Sequence, residues 1–422
     1  MKVLVVGGGG REHALVWKIV QSNKVTKIYC APGNGGIEDI AECVDIKPTD
    51  IEDLVAFAKE KEIDLTVVGM DDPLVMGIVD EFQKEGLRIF GPSKRAAEIE
   101  GSKVFAKELM KKYNIPTAAY EVFTDPEEAI HYVKKQPLPI VIKADGLALG
   151  KGVLICQTHE EAVQGIYDMM IHQKFKEAGK RIVVEEYMEG PEVSVLTFCD
   201  GKTVIPMVSV QDHKRALDGD QGPNTGGMGT FSPSPHYTKE IEDYCMEYIF
   251  QPTLDAMSKE GRPFTGILFF GLMLTKQGIK VLEYNARFGD PETQVVLPRL
   301  ENDIINIFEA CLDQRLDELR IKWSDQAAVC IVMASGGYPV KYQTGYPIEG
   351  LDALKEDSNW MVFHAGTKKE KQKVLTDGGR VLGVTGLGNN LQQAIKKAYE
   401  GVSQIQFKNQ QYRKDIGRKK SI

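Results

Sequence analysis

From Lys2 to about Gly91, short β-branched runs alternate with stretches of helical periodicity. Val3-Leu-Val-Val6 is followed by an amphipathic stretch from Glu12 to Gln21, then by the runs Lys27 to Cys30, Leu65 to Val68 and Arg88 to Phe90. Apolar runs of this length with helical patterns between them predict a parallel sheet with crossover helices. Gly91-Pro92-Ser93 closes the pattern, and one long helix is predicted from Ala96 to Tyr113 with Ser93 as its cap.

Beyond Ile115 the pattern changes to paired strands around loops: Ile140 to Lys143, Val153 to Cys156, Ile182 to Tyr187, Val193 to Phe198, Gly266 to Thr275 and Ile279 to Tyr284. Helical patterns interrupt at about 158–173 and 238–258, which predicts an α+β middle with a small nested lid. A last segment offers strands at Ala328 to Ala334, Met361 to Ala365 and Arg380 to Thr385, then an amphipathic helix from Asn390 to about Gln404. The expectation is a multidomain α/β and α+β chain: an N-terminal α/β domain over 1–100, a middle domain over 101–322 with its lid at about 116–190, and a C-terminal α/β domain over 323–422. A chain of 422 residues exceeds what one core usually serves, which agrees.

A net charge of -8 argues against a general nucleic-acid or membrane-surface binder, because both need a broad positive field. Phosphates must then be met locally. The cysteines Cys30, Cys43, Cys156, Cys199, Cys245, Cys311 and Cys330 lie far apart without metal-ligand spacing and read as core thiols of a reducing cytoplasm. The opening MKVLVVGGGG has too short an apolar run for a signal peptide, and no later stretch is long and apolar enough to span a bilayer. A cytoplasmic protein is expected.

Five stretches are candidates for chemistry. Val6-Gly-Gly-Gly-Gly-Arg-Glu-His13 is a glycine-rich turn between strand and helix, where backbone N–H groups can hold an anion. The dinucleotide fingerprint GxGxxG fails there, since its third glycine falls on Glu12 or His13, and a tight turn that binds nothing fits the bare pattern too. Lys143-Ala-Asp-Gly146-Leu-Ala-Leu-Gly150-Lys151-Gly152 places two lysines and three glycines between strands, a loop able to fold over a triphosphate; a mobile hairpin with solvated lysines is the plainer alternative. It is not a Walker A loop, because Asp145 stands at the first glycine's place and Gly152 follows Lys151.

Glu283 and Asn285 alternate on a strand and so project from one face, two hard oxygens suited to magnesium, with Arg287 two residues on to meet a phosphoryl group or carboxylate. An exposed strand end with ordinary salt bridges is the alternative. Asp212-His-Lys214-Arg215 with Gly222-Pro-Asn-Thr-Gly226-Gly227-Met-Gly229 is polar and glycine-rich, either functional or a surface loop. The strand through Glu185-Glu186-Tyr187-Met188, with Glu192 after it, is either a plain edge or a hinge that hydrogen-bonds an adenine.

Together these stretches resemble the ATP-grasp superfamily and, within it, the glycinamide ribonucleotide synthetase family. The resemblance runs nearly the whole chain, through GGREHA, GSKVFAK, IVIKADGLALGKGV, QDHKR, GPNTGGMG, NARFGDPETQ, FHAGT and RKDIG. It implies an ATP-grasp body with a lid, an N-terminal substrate domain, and ATP with magnesium or manganese joining glycine to 5-phosphoribosylamine through a glycyl phosphate. By position, Lys103 and Lys143 would contact the ATP phosphates, and Gly146, Gly150, Lys151 and Gly152 would close over them. Glu185, Glu186, Tyr187 and Met188 would face the adenine, Glu192 the ribose, and Glu283 and Asn285 the metal. Arg287, Asp212, Lys214, Gly226 and Gly227 would serve glycine and the acyl phosphate; Gly9, Gly10, Arg11 and Asp71 the ribose phosphate side. Arg287, Lys143 and Asp212 would carry catalysis, in a monomer.

Two departures from the family pattern stand out, and one from the wider superfamily. Gly8 occupies a place where relatives often carry Asn or Lys. Gly69-Met-Asp71-Asp72-Pro73 replaces a usual Gly-Pro-Glu before a further residue and Pro, and Leu268-Phe-Phe-Gly271 lacks the carboxylate that many ATP-grasp relatives carry on that strand. An ATP-grasp ligase for another carboxylate and amine, a nucleotide-dependent oxidoreductase and a non-catalytic nucleotide sensor are the competing readings.

Overall fold

The computed structural model describes residues 1–147, 152–355 and 360–418. The N-terminal sheet is parallel, built from β1 (Lys2–Gly7), β2 (Lys27–Pro32), β3 (Glu42–Cys43), β4 (Leu65–Val68) and β5 (Ile89–Phe90) in the order β3-β2-β1-β4-β5. Val3, Leu4, Val5 and Val6 are all fully buried, Leu4 and Val6 in one core and Val3 and Val5 in another. Burial on both faces is why this strand reads as a continuous apolar run. Each such side chain contributes about 1.5–3 kcal/mol by leaving water.

The predicted long helix is two: Lys94–Gly101 and Lys103–Lys112, broken at Ser102. Ser102 is extended, and its hydroxyl accepts the Phe105 N–H as cap of the second helix while donating to Asp145 Oδ1 at 3.0 Å. The Gly101-Ser102 pair is the sequence signal for this break. It puts Lys103 at the first turn of a helix.

Next comes the lid, an antiparallel sheet of β6 (Tyr120–Phe123), β7 (Ile140–Ala144), β8 (Val153–Cys156) and β9 (Ile182–Glu186) in the order β6-β9-β7-β8. Its core, including Ile130, Ile142, Ile166 and Val184, is a cluster of its own. The body sheet has β10 (Glu192–Asp200), β11 (Val204–Pro206), β16 (Thr265–Thr275) and β17 (Gly278–Asn285), ordered β11-β10-β16-β17.

Between these body strands the chain leaves the sheet. β12 (Gln211–Asp212) and β15 (Gly229–Ser232) join the C-terminal sheet, while β13 (Arg215–Leu217) and β14 (Gln221–Asn224) form a hairpin inside the stretch read as loop. The C-terminal sheet runs β12-β15-β18-β22-β19, with β18 (Ala327–Ser335), β19 (Trp360–His364) and β22 (Arg380–Gly388), a separate hairpin of β20 (Thr367–Glu370) and β21 (Lys373–Thr376), and β23 (Gln410–Gln411) on β18. That sheet is therefore built by two distant parts of the chain, which fixes the 212–229 segment against both body and C-terminal domain. A core joining Val3, Leu15, Phe269, Phe308, Cys330 and Phe363 ties all three regions together. Among the described residues, no helix is long and apolar enough to cross a membrane.

Candidate functional site

The site is organised around the end of β17. Gly271 pairs with Glu283 and Leu272 with Val281, so Leu282 is the extra residue of a β-bulge. Bulges free a backbone group and re-aim neighbours. The freed Leu282 carbonyl accepts Lys143 Nζ from the lid strand β7 at 3.2 Å. Lys143 is buried and also meets Glu185 Oε2 on β9 at 3.0 Å, the same oxygen that Lys107 Nζ approaches at 3.3 Å. Burial pushes the Lys107 ammonium down to about 8 against the pull of Glu185.

Lys103 Nζ donates to the Gly146 carbonyl at 2.8 Å, and burial lowers it from the ordinary lysine value, with Glu283 opposing. Gly146 has φ +138°, and a Cβ there would stand 2.8 Å from Ala178 Cβ, so this turn of the lysine loop requires glycine. Asp145 joins the loop to the body: its Oδ1 accepts Ser102 Oγ and the Val104 N–H, and its Oδ2 accepts Arg181 Nε at 2.7 Å. Gly152 is buried, its carbonyl accepting the Ala144 N–H at 2.8 Å. Gly150 and Lys151 lie outside the described residues.

Glu283 and Asn285 share a face of β17, as the alternation requires. Lys214, first among its neighbours, holds the Glu283 carboxyl below its usual range, helped by Lys143 and Lys103. Lys214 Nζ lies 2.5 Å from Glu192 Oε1 and 3.4 Å from Glu283 Oε1; although burial opposes it, those carboxylates and Asp212 keep it raised well above an ordinary lysine. A Cβ at Gly271 would stand 3.0 Å from Glu283 Cγ. A side chain at Gly271 would therefore crowd the carboxylate on β17. Among the described residues no cluster of three or more His, Cys, Asp or Glu forms a protein-only metal cage. An ionised carboxylate beside an amide oxygen, open to a ligand's phosphates and water, is the donor set that magnesium accepts.

Just past the end of β17, Arg287 Nη2 meets Glu100 Oε1 at 3.0 Å, Asn285 Oδ1 at 3.4 Å and Asp71 Oδ2 at 4.0 Å. Burial raises the Glu100 carboxyl in spite of Arg287. Asp71, the first residue of the Asp71–Met76 helix, thus still meets the site. The glycine turn comes next. Gly9 N–H donates to Glu12 Oε2 at 2.6 Å, while Glu12 Oε1 takes Arg11 Nε at 2.6 Å. The Gly9 donor is consequently already matched by a buried carboxylate, and Arg11, reaching Phe288 O at 3.2 Å, is the cation of this turn. A Cβ on Gly8 would sit 2.4 Å from Gly33 O, which accounts for glycine at that departure. Asn34 Nδ2 clasps Gly8 O at 2.9 Å and His364 O at 2.7 Å, and His13 Nδ1 accepts the His364 N–H at 2.8 Å, seating the turn on the C-terminal domain.

The 226–227 segment faces that turn. Arg380 Nη1 donates to Gly226 O at 2.7 Å and Asp290 O at 2.8 Å, and Nη2 pairs with Asp290 Oδ2 at 3.2 Å. Although burial opposes them, Arg380 and Arg11 hold Asp290 below the usual carboxylate range. Gln294 Nε2 donates to Asp290 Oδ1 at 2.8 Å, and a Cβ on Gly10 would sit 2.6 Å from that same nitrogen. Asp212 stands under Gly227; burial first, then Glu292, raises it well above an ordinary carboxylate, and burial raises Glu292 as well.

The structure therefore gathers Lys103, Lys143, Glu185, Glu192, Lys214, Glu283, Asn285, Arg287 and Asp212 about β17, with Gly9, Gly10, Arg11, Asp71, Gly226 and Gly227 along the N-terminal side. Glu186 stands apart: exposed, paired with Lys280 at 2.6 Å and accepting the Ala119 N–H at 3.0 Å. After β9, Tyr187 is 40% exposed while Met188 is buried. Sequence reading gave no roles to Lys107, Glu100, Asp290, Glu292, Gln294 or Arg380. Lys107, Asp290, Glu292 and Gln294 lie inside GSKVFAK and NARFGDPETQ, so motif membership was their one signal.

Residues 1–100 match the N domain of phosphoribosylglycinamide synthetase, 101–293 its ATP-grasp (A) domain and 328–419 its C domain. The chain is 55% identical over 419 residues to the phosphoribosylamine–glycine ligase of Halalkalibacterium halodurans, covering 99% of this chain and 97% of that one. It is 51% identical to that of Clostridium acetobutylicum, covering 100% of both. The crystal structure of phosphoribosylamine–glycine ligase from Thermotoga maritima superposes with a TM-score of 0.85 at 34% identity, over 99% of this chain and 100% of that one. At 18% identity, the biotin carboxylase domain of Hydrogenobacter thermophilus 2-oxoglutarate carboxylase, in complex with MgADP, ADP and bicarbonate, shares the fold with a TM-score of 0.74 over 97% of this chain and 91% of that one. With all three domains matched in order around one cationic and acidic cleft, this chain belongs to the phosphoribosylglycinamide synthetase family.

Proposed function

We propose that this chain ligates glycine to 5-phosphoribosylamine at the expense of ATP, giving glycinamide ribonucleotide, ADP and phosphate in purine synthesis. The observation that carries the reading is the meeting of Lys103, Lys143 and Lys214 with Leu282 and Glu283 at the bulge of β17, beside Asn285 and Arg287.

A carboxylate is a poor electrophile, so glycine's carboxylate first attacks the γ-phosphorus of ATP, forming glycyl phosphate as the bond to ADP breaks. Such a transfer needs positioning and charge neutralisation more than proton chemistry. Lys103 and Lys143 meet the phosphates, and Gly146 and Gly152 frame the loop above them. Glu283 and Asn285 would hold magnesium or manganese, which would supply charge neutralisation to the phosphates. Met188 and the backbone at Tyr187 face the adenine with Glu185, while Glu186 keeps its pairing with Lys280, and Glu192 faces the ribose.

Arg287 receives glycine's carboxylate or the acyl phosphate, with Asp212, Lys214, Gly226 and Gly227 around it. Arg11, Gly9, Gly10 and Asp71 meet phosphoribosylamine, and Asp290 and Arg380 border the same place. The amine then attacks the acyl carbon and phosphate leaves. The lid excludes water that would hydrolyse the acyl phosphate. We read the working unit as a monomer of the cytoplasm.

The test is ADP release from ATP, magnesium and glycine with and without freshly made phosphoribosylamine, with mass detection of the product. ADP that requires both substrates, with the mass of glycinamide ribonucleotide, supports the reading. Turnover only with other carboxylate and amine pairs sinks the substrate assignment.

A further inference from the structure

Two lysines share one carboxylate oxygen at the root of the lid. Glu185 Oε2 lies 3.0 Å from Lys143 Nζ and 3.3 Å from Lys107 Nζ, and all three side chains are almost wholly buried. Oε1 of the same carboxylate is buried without a hydrogen-bond partner among the described residues. Lys107 is anchored on the body: its Nζ donates to Thr117 Oγ1 at 2.7 Å, and Thr117 Oγ1 donates to the Val281 carbonyl of β17 at 2.8 Å. Lys143 rides instead on the lid strand β7.

This arrangement poses a problem for a binding event that draws Lys143 towards phosphates. A buried carboxylate that loses its only cation is left uncompensated, at large cost. Glu185 has a second cation, held by a separate anchor. We infer that Lys107 is a positioning residue for ATP: it remains as counter-ion to Glu185 so that Lys143 is released to the nucleotide's phosphates. The inference rests on the ATP site proposed above and deepens it. Glu185 and its two lysines then act as an exchange point. Lys107 never touches the nucleotide, and its effect is on the affinity for phosphates alone.

The experiment is calorimetric binding of ATP without glycine, and of adenosine by competition, to the full chain and to Lys107→Met, Lys107→Gln, Glu185→Gln and the double variant Lys107→Met/Glu185→Gln. Lys107→Gln removes the charge yet keeps a donor for Thr117, which guards against a result due to misfolding; thermal melting of each variant checks the fold. The expected result is a roughly hundredfold weaker Kd for ATP in both Lys107 variants, the size set by stranding a buried charge. Adenosine, which has no phosphates, binds them as it binds the parent. The double variant binds ATP within about threefold of Glu185→Gln alone, since no carboxylate is left to compensate. Unchanged ATP affinity in a folded Lys107→Gln overturns the inference, as does equal weakening for adenosine, or a double variant as weak as Lys107→Met. Failure of the unaltered chain to bind ATP would instead overturn the ATP site itself.

Discussion

Gly227→Ala tests the substrate side of the cleft most sharply, because the structure fixes what the added methyl meets. Gly227 has φ +114°, and its Cβ would stand 2.5 Å from Pro291 Cδ, 2.8 Å from Asp212 Oδ1 and 3.1 Å from Asp212 Oδ2. Pro291 cannot retreat freely, since its carbonyl accepts Thr230 Oγ1 at 3.0 Å. The backbone strain costs about 1–3 kcal/mol, and forcing a methyl into packed surroundings about 1–3 kcal/mol more.

The cheapest relief is to push the Asp212 carboxylate aside. A misplacement on the order of 1 Å costs roughly a hundredfold in rate where positioning carries catalysis. The neighbouring Gly226→Ala supplies the contrast. Its Cβ would lie 3.1 Å from Arg380 Cζ, the far end of a long side chain, and no left-handed φ is imposed there. Steady-state kinetics with glycine varied, beside ATP binding by calorimetry, should show kcat/KM for glycine down about a hundredfold in Gly227→Ala, ATP affinity nearly unchanged, and only a severalfold loss in Gly226→Ala. Near-native turnover in Gly227→Ala, or equal damage from both variants, would refute the placement of Asp212 under this loop.

Lys143→Ala and Glu283→Ala should each lower turnover by about a hundredfold or more with circular dichroism and melting little changed, since both face charge that develops around ATP; near-native turnover at saturating substrates in either one would void its role. Ser102→Ala removes the cap of the Lys103–Lys112 helix and the bond to Asp145, so chemical denaturation should find a loss of about 1 kcal/mol and KM for ATP should rise as Lys103 is displaced. Although burial opposes it, Arg413 holds the Asp415 carboxyl down to about 2 from an ordinary 3.8, with help from the Gly219 N–H. That contribution is present above the ordinary value and lost as pH falls through about 2; Asp415→Asn should be less stable than the parent at neutral pH by about 1–2 kcal/mol after solvent screening, the gap closing towards pH 2 in fluorescence unfolding.

Strands buried on both faces announced themselves, because nothing but apolar residues fits them: Val3 to Val6 and Ala328 to Ala334 were readable for that reason. The break at Ser102 was harder. Lys94 to Lys112 keeps its helical periodicity across the break, and the short Gly101-Ser102 signal is reinforced by the Ser102 cap on Phe105 and its tertiary bond to Asp145. Pairing of β12 and β15 with the C-terminal sheet was not legible at all, since both strands are short and their partner β18 lies far along the chain. The alternation of Glu283 and Asn285 survived because the bulge falls before them, at Leu282. Buried charges such as Lys107 and Glu292 look like surface residues in a helical pattern, and what buries them comes from distant segments.

Those distant segments also explain where polar groups are left unmatched. Among the described residues five buried side-chain atoms lack a hydrogen-bond partner, and three of them, Glu185 Oε1, Arg287 Nε and Gln294 Oε1, belong to this cleft. A buried polar atom left unpaired costs about 1–3 kcal/mol, so a fold that concentrates them in one place gives up stability there. Their chemistry differs in the sense the proposed reaction needs. Arg287 Nε is a donor suited to a carboxylate or phosphate, whereas Glu185 Oε1 and Gln294 Oε1 are acceptors suited to amino or hydroxyl groups. ATP, glycine and phosphoribosylamine offer both kinds. Binding would then recover at the cleft what folding left unspent, and a ligand lacking a carboxylate or phosphate to reach Arg287 should recover less of it.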